Sequence, residues 1–128
     1  MLKVTAGRHR AQDFRQTRTR LQGRRFMIRH VFLYKLASAA DAERTEKILN
    51  ALPAGVPGIR GWTFGRHQAP AGARPGRWDY GLVCDFDSFA DLQAYNAHPL
   101  HKEAVKNLLP MLDGHAICDF EFASVQSD

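Results

Sequence analysis

Six histidines and three tyrosines are scattered along 128 residues, and the stretch YNAHPLHKEAV gathers Tyr95, His98 and His101 around a proline. Imidazoles change charge near neutral pH, so this spelling supports three chemistries: metal ligation, proton transfer, or a simple helix start. A metal needs three or four converging donors. His98 and His101 supply at most two, on either side of a helix break, and His30, His67 and His115 fall on separate expected strands. No Cys-x-x-Cys, His-Glu-x-x-His or acidic cluster accompanies them, so no metal is expected. A helix start accounts for His98 and Pro99, since the residue before proline avoids helical geometry and proline suits a first turn. It does not account for His101, whose spacing to Ala104, Val105 and Leu108 puts it on the buried stripe of that helix, beside an inward Tyr95.

The elements that must hold these side chains can be read from periodicity. MIRHVFLYKL is β-branched and aromatic, with Ile28, His30, Phe32, Tyr34 and Leu36 on one side and Val31 and Leu33 on the other. Ser38 caps a helix carrying Thr45, Ile48, Leu49 and Leu52, which Pro53 is expected to stop. IRGWTFGRH reads as a second strand, weakened by Gly61 and Gly65. RWDYGLVCDF reads as a third, with Trp78, Tyr80, Leu82, Cys84 and Phe86 on one face. Ser88 opens a helix with Phe89, Leu92 and Tyr95 on its buried side; Pro99 starts another that runs to about Leu109, and HAICDFEFASV alternates as a fourth strand. The order β-α-β-β-α-β is that of a ferredoxin-like α+β plait. Helices can cover only one face of such a sheet, yet both faces are apolar, so a second copy of the chain is expected to cover the other.

His30 thereby shares a sheet face with Phe32 and Tyr34, opposite His101 and Tyr95. Tyr80 and Leu82 continue that wall, and His98 flanks it. An apolar pocket with a few inward polar groups is what a small organic ligand requires, and two imidazoles with a phenol could move a proton at neutral pH.

The net charge of +5 is unevenly placed. Residues 1–26 carry eight Lys and Arg against Asp13 alone, 8 − 1 = +7, and the rest of the chain carries ten against twelve, 10 − 12 = −2. The domain is therefore assigned to residues 27–128. Residues 1–26 are expected to lack fixed structure, being too poor in apolar residues to offset ordering entropy. As an arm they could hold nucleic acid weakly through phosphates. Their Arg content also fits a targeting peptide, against which stand the lack of Ser and of an apolar face. Met27 offers an alternative start. No apolar run approaches the roughly 20 residues that cross a bilayer. Cys84 and Cys118 form no disulfide framework and suit a reducing cytoplasm.

The phrases MIRHVFLYKL, LPAGVPGIRGWTFGR, YGLVCDFDSFADLQAYNAHPLHKE and the closing CDFE resemble, in order, the stress-responsive A/B barrel (Dabb) family, over residues 27 to about 122. The resemblance implies a dimeric α/β barrel in which the sheets of two chains face each other. It also implies relatives of two kinds: plant polyketide cyclases that close a ring by an aldol step without metal or organic cofactor, and non-catalytic stress or assembly proteins. On the cyclase pattern the catalytic Tyr and His fall on Tyr95 and His101, with His30 lining the cavity. Where the cyclases carry a further histidine on the third strand, this chain carries Tyr80. No cofactor is expected.

Overall fold

The structure, a computed structural model, describes residues 24–74 and 76–125. Residues 1–23 of the basic segment lie outside the described residues, and the expectations attached to them with it. The described residues fall into two units: Met27–Phe122, which carries the fold and site, and residues 24–26 with 123–125. In the second, the Ser124 hydroxyl donates to the Arg25 carbonyl at 3.4 Å.

Strand β1 (Arg24–Leu36) begins three residues before Met27. A 3-10 turn (Ala39–Asp41) leads into α1 (Ala42–Asn50) and the short α2 (Leu52–Gly55). Then come β2 (Gly61–Arg66), β3 (Tyr80–Phe86), α3 (Phe89–Ala97), α4 (Pro99–Leu108), a second 3-10 turn (Leu109–Met111) and β4 (Leu112–Val125). The sheet order is β2-β3-β1-β4, with β3 antiparallel to both β1 and β2. This is the ferredoxin-like α+β plait.

The pairing register decides what sits under the helices. His30 lies opposite Cys84, Phe32 opposite Leu82 and Tyr34 opposite Tyr80, while Trp62 and Phe64 of β2 lie opposite Cys84 and Leu82. Because successive side chains alternate, these residues form one face. It packs against Leu49 and Leu52, Leu92 and Tyr95, and Ala104 and Leu108, all buried. The other face carries Val31, Leu33, Val83 and, on β4, Phe120 and Phe122. A cross-strand pair crosses it: Arg29 donates from Nε and Nη2 to both Asp85 oxygens, at 2.9 and 3.0 Å, with its guanidinium 4.3 Å over the Phe122 ring. Phe120 is 41% exposed, so among the described residues this apolar face is left partly open.

Three boundaries differ from the sequence reading. Pro53 does not stop the first helical run; the run pauses at Ala51, and Pro53 sits in the first turn of α2, where a missing N–H breaks no hydrogen bond. Strand β3 starts at Tyr80 because Asp79 closes the ladder, donating its N–H to the Tyr34 carbonyl at 2.8 Å and accepting from the Leu36 N–H at 2.7 Å. Strand β2 ends at Arg66, leaving His67 beyond it. Among the described residues no helix is long and apolar enough to cross a membrane.

Candidate functional site

Ser88 begins the local chain of causes. Its hydroxyl accepts from the Asp91 N–H at 3.2 Å and caps α3, which aims Leu92 and Tyr95 at the sheet. At His98 the backbone is extended (φ −65°, ψ 137°), and its Nδ1 accepts from the Leu100 N–H at 3.1 Å, so this imidazole caps α4. Pro99 follows as the first helical residue, and α4 then turns His101 back over Tyr95. Their ring centroids are 4.4 Å apart.

Between this junction and the sheet lies a cavity of about 130 Å³. His30, Phe32 and Leu82 line it from the sheet, Tyr95 and His101 from the helix junction, and His115 and Ile117 from β4. Leu49, Leu52 and Leu108 close its apolar end. An apolar cavity of similar size, roughly 150 Å³, is known to admit a benzene ring.

Five residues proposed from sequence therefore meet: His30, Phe32, Leu82, Tyr95 and His101. Three do not join them. His98 is turned away as a cap. Tyr34 and Tyr80 share the right face but lie further along the sheet, stacked at 4.7 Å and 13° on each other and on Phe64. Their hydroxyls are engaged, Tyr34 donating to Thr45 Oγ1 at 2.9 Å and Tyr80 to Glu46, which also accepts from Arg66. Burial, reinforced by the Glu46 carboxylate, pushes the Tyr80 phenol up to about 12.

The hydrogen bond of His101 goes to the backbone, not to Tyr95. His101 Nδ1 lies 3.2 Å from the Asn96 carbonyl, which can only accept, so the ring donates its Nδ1–H and the neutral form leaves a lone pair at Nε2. Burial lowers the His101 pKa, against the opposing pull of that carbonyl. Tyr95 is raised, chiefly by burial, so its phenol stays protonated. Its hydroxyl has no hydrogen-bond partner among the described residues, and Trp62 Nε1 is the one side-chain polar atom among them both enclosed and unpartnered. Tyr95 and His101 both line the cavity, and neither the Tyr95 hydroxyl nor His101 Nε2 has a hydrogen-bond partner among the described residues.

Asp119 was missed altogether. Its Oδ1 lies 2.5 Å from His30 Nδ1, and His30 is 6% exposed. The alternation of HAICDFEF held the signal: counting by twos from His115 puts Ile117 and Asp119 on its face. Among the described residues no three His, Cys, Asp or Glu side chains converge as a metal site.

A ferredoxin-like sheet with helices on one face, an apolar face behind that is partly open among the described residues, and a small pocket at the junction of α3 and α4 define a class of α+β proteins. Comparison with known proteins is consistent with it: the family model described as Stress Responsive A/B Barrel Domain matches residues 28–122. The chain belongs to that family. A dimeric protein of unknown function and ferredoxin-like fold from Bacteroides fragilis is 30% identical, with 75% of this chain and 96% of that one covered at a TM-score of 0.59. A dimeric ferredoxin-like protein of unknown function from Thermobifida fusca is 28% identical, with 77% and 92% covered at 0.65. The hydroxynitrile lyase of Passiflora edulis shares the fold at 18% identity, with 75% and 93% covered and a TM-score of 0.67. No curated protein sequence matches the chain.

Proposed function

We propose that this protein is a homodimer that holds a small carbonyl compound in the α3–α4 cavity and transfers a proton at the carbon next to the carbonyl. The observation that carries the reading is the pairing, in the lining of one apolar cavity, of an imidazole tied at Nδ1 with a phenol, His101 Nε2 and the Tyr95 hydroxyl both lacking a partner among the described residues. His101 Nε2 would take the proton from carbon. The C–H electron pair becomes the enolate double bond, charge moves to oxygen, and the Tyr95 O–H donates to it as that charge develops. The cavity size favours compounds built on one ring. Pairing of two chains draws support from the sheet face left partly open among the described residues and from relatives described as dimeric.

Two measurements test this. Acetophenone and cyclohexanone are incubated with the protein in D2O and followed by proton NMR; catalysed loss of the signals next to the carbonyl is expected. Saturable binding without exchange would make the protein a binding module instead. Light scattering at micromolar concentration is expected to give twice the 14.4 kDa chain mass, and the mass of one chain would sink the dimer.

A further inference from the structure

Asp119 has no part in that proton transfer, yet it fixes the state of a cavity wall. Its carboxylate lies 2.5 Å from His30 Nδ1 and can only accept there, so whenever the His30 ring is neutral its lone pair lies at Nε2. The Asn96 carbonyl imposes the same tautomer on His101. Two imidazoles therefore line the cavity, each tied at Nδ1 by an acceptor of the protein itself, and each in its neutral form keeps Nε2 as an acceptor. Tyr95 stands between them, its ring centroid 6.1 Å from that of His30 and 4.4 Å from that of His101. Among the described residues no Lys or Arg lines the cavity. With both rings neutral, a carboxylate or phosphate would meet two lone pairs and no Lys or Arg, so an anion is disfavoured.

We infer that Asp119 is a positioning residue that holds His30 as a hydrogen-bond acceptor, and that the molecule taken up is a neutral carbonyl compound bearing a hydroxyl group. The carbonyl oxygen accepts from Tyr95, the carbon acid faces His101, and the hydroxyl donates to His30 Nε2. The carbonyl and carbon acid rest on the proposed function; the tautomer and the hydroxyl preference do not.

The test uses full-length protein with ¹⁵N-labelled histidine at pH 8, where an ordinary imidazole is neutral. NMR is expected to show His30 protonated at Nδ1 and bare at Nε2, and Asp119→Ala to move its proton toward Nε2 while His101 stays unchanged. The wild type is expected to bind α-hydroxyacetophenone roughly tenfold more tightly than α-methoxyacetophenone, the margin of one good hydrogen bond. That preference should shrink to within about twofold in Asp119→Ala and return in Asp119→Glu. A proton on His30 Nε2 in the wild type, equal binding of the two ketones, or a preference that survives Asp119→Ala would each overturn the inference. Should Asp119→Ala not fold, the wild-type tautomer and the two-ketone comparison decide alone. Absence of deuterium exchange with tautomer and preference intact would remove the proton transfer and leave the role of Asp119 standing.

Discussion

His101→Ala is expected to slow deuterium exchange next to the carbonyl by about 10²–10⁴-fold, the usual contribution of a positioned general base, while the protein remains folded. The fold should tolerate the change because the polar contact of His101 is local: it bonds the carbonyl of Asn96, five residues earlier, and no strand depends on it. The loss should fall on catalysis more than on binding, since Leu49, Leu52 and Leu108 still receive the ring of the ketone. The pH profile gives a second check. Burial lowers the pKa of His101 below its ordinary 6.5, so the free base persists below pH 6.5 and exchange should hold its plateau there, falling only under the lowered value. The sign for stability follows. A lowered folded-state pKa means that the unfolded chain binds the proton more readily, so the contribution of His101 is fully present above pH 6.5 and is lost as pH falls through the lowered value. A profile that turned down above pH 7 would name another group as the base.

Phe86→Ala is expected to cost about 3–5 kcal/mol in urea unfolding, with the midpoint shifted and the slope unchanged. In a domain of this size that corresponds to a fall of roughly 12 °C or more in Tm. Phe86 is fully buried at the end of β3, and its ring centroid lies 5.2 Å from that of Tyr95. Its removal leaves a void beneath the phenol, so the surviving folded protein should also bind ketones more weakly. A loss under about 1 kcal/mol would mean that α3 collapses into the space, and Tyr95 would then have moved.

Which face each strand turns inward was legible, because alternation depends on nothing beyond the strand itself. His30, Phe32, Tyr34, Leu82 and Cys84 all point where their parity puts them. The helix junction was legible for a similar reason: His98 and Pro99 act on their own backbone. Position along a face was not. Tyr34 and Tyr80 have the same parity as His30 and Leu82, but whether a residue meets α1 or the α3–α4 junction depends on how the helices lie across the sheet, which no period encodes. Asp119 escaped notice because its bond to His30 joins residues 89 apart and needs the relative position of two strands. The Asn96 acceptor is a backbone carbonyl, present at every residue and therefore marked by none. Pro53 misled because the same ring that breaks a helix interior is welcome in a first turn.

Cys84, opposite both His30 and Trp62 in the sheet, gives the strands beside the cavity a chemical clock. Its thiol is fully buried, and desolvation pushes it up to about 12, so in the closed protein it offers an alkylating reagent neither access nor thiolate. Reaction has to wait for β3 to separate from its neighbours. The time course of alkylation then counts openings of the β1–β3 pairing at His30, and any compound that braces the cavity wall there should slow the count, whatever reaction it undergoes. Cys118, exposed on the opposite face in a single chain, keeps separate time: reagent reaches it at once unless another chain lies over it.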